Sequence, residues 1–153
     1  MNKALDVAKY ILWYCNEHTV NNCTNKKLQK LLYYIQAWSL VLRGKGIFSD
    51  QVEAWLHGPV VVNVYHAYKD YGFSPIPFNT NLLKTDLFTT DEKSLMNAVL
   101  EKYSKFDADF LEMRTHIERP WLETRQKGED VIPPALMKEY YESVLKDTRS
   151  SNV

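Results

Sequence analysis

The side chains in this sequence that could do chemistry are the histidines His18, His57, His66 and His116, the cysteines Cys15 and Cys23, and the lysines Lys26, Lys27 and Lys30. Nucleophilic catalysis needs a Ser or Cys held beside a base. Nothing in the residue order brings such a pair together. There is no G-x-S-x-G, no P-loop, no H-E-x-x-H and no Gly-rich phosphate cradle. No Cys/His spacing has the pattern of a zinc site. His116 and Glu118 are two positions apart, which puts them on different faces of a helix. His57, before Gly58-Pro59, reads as a ring that caps the next helix. His116, ahead of Pro120, reads as a donor to an open carbonyl. Cys15 falls on an apolar stripe and reads as core. The expectation is no catalytic residue, no metal ligand and no cofactor.

The lysines break a local rule. They occupy the first two turns of the strongest helix in the sequence, where the macrodipole disfavours cations. Something should compensate them. Lys30 lies between Leu28 and Leu31 and is expected to pair internally with a carboxylate, Glu53 being the first choice. Lys26 and Lys27 point about 100° apart and are expected on the surface, as a rim for an acidic partner. Trp55 and Trp121 flank turns, where a ring either packs under the turn or anchors an interface. The candidate partner-binding residues are Lys26, Lys27, Trp55, His57, Tyr65 and Trp121.

Helices must position these groups. Ala4, Leu5, Ala8, Ile11, Leu12 and Cys15 form one helical stripe, followed by a linker over 16–25. Leu28, Leu31, Leu32, Ile35, Trp38 and Leu42 form another, with apolar residues on most of the remaining circumference. Such a helix belongs at the centre of a domain. Thr24 is its expected N-cap and Gly44 its stop. Ile47–Asp50 and Val52–Leu56 alternate and predict a two-stranded ribbon near 47–56. Gly58-Pro59 is expected to end it as a hinge over Trp55, with Pro59 opening a third helix that stops at Gly72. A long connection spans 73–88. Thr89 and Glu92 form a capping box for a helix with Leu95, Met96, Val99, Leu100 and Tyr103 inward. Asp107 and Asp109 start a helix with Phe110, Met113 and Ile117 inward. Pro120 restarts a short turn around Trp121, and Pro134 opens a last helix. The sum is a mainly α, single compact domain of six to seven helices over 1–147, with a frayed tail at 148–153.

Composition narrows the function. The chain has 153 residues, 45% hydrophobic and 25% charged, which suits one ordinary globular domain. Nineteen basic residues balance nineteen acidic ones, which argues against binding nucleic acid through bulk charge. The N-terminus lacks the layout of a signal peptide, and no apolar run is long enough for a membrane span. A cytoplasmic location is expected. Aromatic residues at 13% exceed what a core of this size needs, which favours a surface that meets a partner.

Several blocks resemble a known family. KLQKLLYYIQAW (Lys27–Trp38), EAWLHGPVV (Glu53–Val61) followed by VYHAYKDYG, and THIERPW (Thr115–Trp121) are similar, in order and spacing, to the motif blocks of the Panacea, or SocA-like, antitoxin domain. ALDVAKYIL and VIPPALMKEYY resemble its opening and closing helices. The resemblance assigns Lys30, Glu53, Trp55, Gly58, Pro59, Val60, His116, Pro120 and Trp121 to motif positions, mainly structural. It implies a small helical protein of bacteria, phages and prophages that neutralises a cognate protein toxin by direct binding. One branch acts as an adaptor to an ATP-dependent protease. The common domain fills the chain, so no added DNA-binding domain and no nucleic-acid partner are expected. Two other readings remain open: a phage-encoded binder of another host protein, and a small hydrolase or nuclease using His57 or His116.

Overall fold

The computed structural model describes residues 1–18, 22–78 and 83–151. The linker expected over 16–25, the connection over 73–88 and the tail lie partly outside the described residues. Seven α-helices are present among these: α1 (Ala4–Glu17), α2 (Asn25–Leu42), α3 (Val62–Tyr68), α4 (Thr90–Tyr103), α5 (Ala108–Ile117), α6 (Arg119–Gln126) and α7 (Pro134–Ser151). A hairpin of β1 (Glu53–Trp55) and β2 (Gly58–Val60) stands between α2 and α3.

The domain is organised around α2. It packs against α1, α3, α4, α5, α7 and β2. Its apolar circumference explains this, since a helix with no polar face must be covered on all sides. Leu28, Leu31, Leu32, Tyr34, Ile35 and Ala37 are fully inaccessible to solvent. Thr24 caps α2 by accepting from the Lys27 amide, and Gly44 follows it at φ +73°. The capping box at Thr89 and Glu92 is formed, and all five inward residues read for α4 are buried. Gly72, at φ +57°, closes the 3₁₀ turn that continues α3.

Four local expectations need correction. The hairpin lies at 53–60 instead of 47–56, with Trp55 opposite Gly58 and Glu53 opposite Val60. Ile47 and Phe48 pair with neither strand because the Gln36 side chain of α2 holds them. Gln36 Oε1 accepts from the Ile47 amide at 2.9 Å, and its Nε2 donates to the Phe48 carbonyl at 2.9 Å. Pro59 therefore sits in β2, and α3 begins three residues later, after Val61. In α5 the buried residues are Leu111 and Thr115, and Phe110 packs half-buried against the core as expected, while Met113 is 48% and Ile117 70% exposed. Asp107 caps α5 and sets its phase. Pro120 sits inside a full helix, α6, instead of a short turn. Helix α7 runs from Pro134 to Ser151, and the Thr148 hydroxyl donates to the Val144 carbonyl at 3.0 Å.

Candidate functional site

The hairpin, α2 and α3 enclose a groove of about 490 Å³. Lys26, Gln29 and Lys30 of α2 line it, with Trp55, Leu56 and His57 of the hairpin and Tyr65 of α3. Trp55 and Tyr65 meet edge to face, with ring centroids 5.0 Å apart. Leu56 on the hairpin and Phe73 after α3 are strongly exposed.

The three lysines have separate fates. Lys26 reaches across to α5 and pairs with Asp109 at 2.8 Å and Glu112 at 2.6 Å. Burial works against its charge, but these carboxylates outweigh that and hold its pKa above the ordinary lysine value. Lys27 was expected on the rim and is fully buried instead. It turns under the helix start, donating to Asn22 Oδ1 at 2.8 Å and to the Ser104 carbonyl. Burial lowers its pKa. Lys30 is buried as expected, but its partner is not Glu53. Its Nζ donates to the Pro59 carbonyl at 3.2 Å, and it forms no ion pair among the described residues. Burial brings its pKa down to about 7, with Glu112 opposing the fall. Glu53 is occupied locally, its Oε1 accepting from the Trp55 indole at 3.0 Å.

Gly58 and Pro59 complete the Lys30 chamber. Gly58 has φ +110°, and a Cβ there would stand 2.6 Å from Lys30 Cε and 3.1 Å from the Thr115 hydroxyl. The glycine thus serves the strand turn and the close approach of the lysine stem together. We predict that Gly58→Val lowers stability by about 2–3 kcal/mol, through strain at positive φ and the clash with Lys30. Urea unfolding measures this, and an unchanged midpoint would contradict it. Val60 is buried beside the chamber.

The THIERPW block packs behind the hairpin. The His116 ring stacks on Trp121 with centroids 3.9 Å apart. Its Nε2 is buried and meets no acceptor or donor among the described residues, so it does not serve the open carbonyl expected for it. Burial lowers its pKa, and Lys30 and His57 add to the fall against Glu112. The Trp121 indole donates to the Trp55 carbonyl at 2.8 Å. Trp121 and Pro120 are buried, so Trp121 is a packing residue of the hairpin and not an exposed anchor. His57 is 72% exposed at its side chain, with Nδ1 3.3 Å from Glu112, so it reaches α5 instead of capping α3.

The fold therefore gathers Lys30, Trp55, Gly58, Pro59, His116 and Trp121 into one region, although they come from three distant blocks. Glu112, Gln29, Leu56 and Phe73 escaped the sequence reading. Gln29 Oε1 accepts from the Val61 amide at 2.8 Å and so fixes the hairpin to α2. Leu56 could have been found as an apolar residue at the tip of a two-residue turn. Glu112 carries no such signal, because its partners lie on other elements.

The hairpin is clamped between two helical blocks, beside an apolar groove that is also lined by the buried Lys30. Residues 28–122 match the model of the antitoxin SocA-like Panacea domain, and the chain belongs to that family. The match runs from the first turns of α2 into α6 and includes the whole groove except Asn25, Lys26 and the flanking helices. No curated protein and no solved structure matches the chain. Among the described residues, no helix is long and apolar enough to cross a membrane.

Proposed function

We propose that this chain is the antitoxin of a toxin–antitoxin pair and neutralises its toxin by direct binding through the groove face. The reading rests on membership of the antitoxin-like family. Its surface observation is the exposure of Leu56 at 65% and Phe73 at 96%, both lining one groove. Exposed apolar residues around a recess mark an interaction site more often than chance scatter does. Trp55 and Tyr65 supply aromatic anchors, His57 and Lys26 a polar rim, and a stable contact would bury at least about 1,000 Å². Occlusion of the toxin's working surface is then sufficient for neutralisation, with no catalytic step and no cofactor.

The test is co-expression with the product of the adjacent open reading frame. The wild-type chain should restore growth. Leu56→Asp combined with Phe73→Asp should reduce rescue by about 100-fold with an unchanged melting temperature, since two apolar anchors are lost from the interface. Full rescue by the double variant would move the interface elsewhere. An unaltered toxin half-life during rescue separates occlusion from delivery to an ATP-dependent protease.

A further inference from the structure

Building on the toxin-binding reading, we propose that the groove between α2, the hairpin and α3 receives an internal acidic residue of the partner, flanked by apolar residues, with its carboxylate seated on the Lys30 ammonium.

The charge inventory carries this. Among the described residues, the groove lining includes Lys26, Lys30 and Lys69 and contains no Asp or Glu. Lys26 is already matched by Asp109 and Glu112 behind it. Lys30 makes no ion pair among the described residues, Glu112 acting on it without direct contact. An ammonium has three donors, and this one directs a single hydrogen bond, to the Pro59 carbonyl, while only 1% of the residue is exposed. Burying a cation without an anion is unfavourable, and one added carboxylate would repair it with a charge-assisted bond in a low-dielectric site. The other partner-facing cation, Lys69, lies exposed at the rim and adds attraction.

The walls define what surrounds the carboxylate. Trp55 and Tyr65 form an aromatic side, while Leu56 and Phe73 stand on separate elements. An occupant that covers both exposed residues needs apolar groups on each side of its acid. A chain terminus has peptide on one side only, so an internal Glu or Asp fits better. Gly58 preserves the chamber, because any Cβ there would displace the Lys30 stem.

Three probes test this against the ¹⁵N-labelled full chain by NMR titration. The first is a doubly capped pentapeptide, Ser-Leu-Glu-Phe-Ser. The second replaces Glu by Gln. The third is the Gln peptide with a free C-terminal carboxylate. The Glu peptide should bind about 10-fold more tightly than the capped Gln peptide, with shifts at the Trp55 indole and the Gly58 amide. Lys30→Met should erase that preference. Both Leu56→Glu and Leu56→Lys should weaken the Glu and Gln peptides by removing the apolar wall, while Leu56→Glu lowers and Leu56→Lys raises the preference for Glu over Gln. Leu56 is 65% exposed, so these rim variants keep the fold. Equal binding of the capped peptides, preference for the free terminus, shifts away from the groove or no binding would each overturn the proposal. Toxin neutralisation is scored separately. Rescue that survives Lys30→Met overturns the carboxylate seat and leaves toxin binding intact, whereas failure of the wild-type chain to rescue overturns the toxin-binding reading itself.

Discussion

Lys30→Met should make the protein more stable at pH 6, by about 3 kcal/mol. The lysine is 1% exposed and has no ion-pair partner among the described residues, so its charge is held in the fold at a cost. Burial brings its pKa from 10.5 to about 7, a difference worth about 4–5 kcal/mol when the folded chain is protonated. Losing the bond to the Pro59 carbonyl offsets about 1 kcal/mol of that gain. The sign with pH follows from proton binding. Between about 7 and 10.5 the folded chain holds fewer protons at this site than the unfolded chain. Wild-type stability from Lys30 therefore rises with pH across that window, and the advantage of the Met variant shrinks. Urea unfolding at pH 6 and pH 9 measures both effects. A destabilised variant, or a gain independent of pH, would show that Lys30 is compensated after all. A residue that lowers stability while lining a groove is the pattern expected where function opposes stability.

A gain in stability is the opposite of what an internal Lys30–Glu53 pair implies, since breaking a buried pair is destabilising. The position of Lys30 between Leu28 and Leu31 correctly implied burial. It could not identify a partner, because the nearest motif carboxylate, Glu53, is in β1 and held by the Trp55 indole. Lys26 found its carboxylates on α5, 83 and 86 positions away, where helix phase and not sequence proximity decides contact. Lys27 looked exposed by its place in the first turn. The irregular chain at Asn22 and the end of α4 at Ser104 cover that turn and supply its acceptors.

Helices with strong periodicity and caps were legible. Thr24, Thr89 and Asp107 each cap the helix they were read to start, because the capping bond is local. The hairpin was displaced because its register depends on a tertiary bond. Gln36 holds Ile47 and Phe48 away from the hairpin, Phe48 bridging to Asn2 instead, and the 130–132 segment pairs with β1 on its other side, with the Ala54 amide donating to the Asp130 carbonyl at 2.8 Å. The groove had only indirect signs in the sequence, an excess of aromatic residues and a turn bearing Leu56 and His57. Its walls come from elements joined through α2.

Glu118→Ala should lower stability by about 3 kcal/mol, while Glu118→Gln should lower it by no more than about 1 kcal/mol. Glu118 links α5 to α6 and is 6% exposed. Its Oε1 accepts from the Tyr34 hydroxyl and lies 3.3 Å from that of Tyr141, which is 3.0 Å from Tyr33. One carboxylate thus joins the THIERPW block to α2 and to α7. Truncation to Ala leaves buried hydroxyls without an acceptor, whereas Gln retains one. Burial raises the Glu118 pKa above 4.5, with the Tyr34 hydrogen bond pulling it back. The folded chain therefore holds more protons here than the unfolded chain between 4.5 and the raised value. Its contribution to stability falls as pH rises through that interval, and Glu118→Gln should remove the fall. Urea midpoints of both variants from pH 4.5 to 7.5 give the comparison. Equal losses for Ala and Gln would mean that the carboxylate charge, and not its role as acceptor, holds the three tyrosines in register.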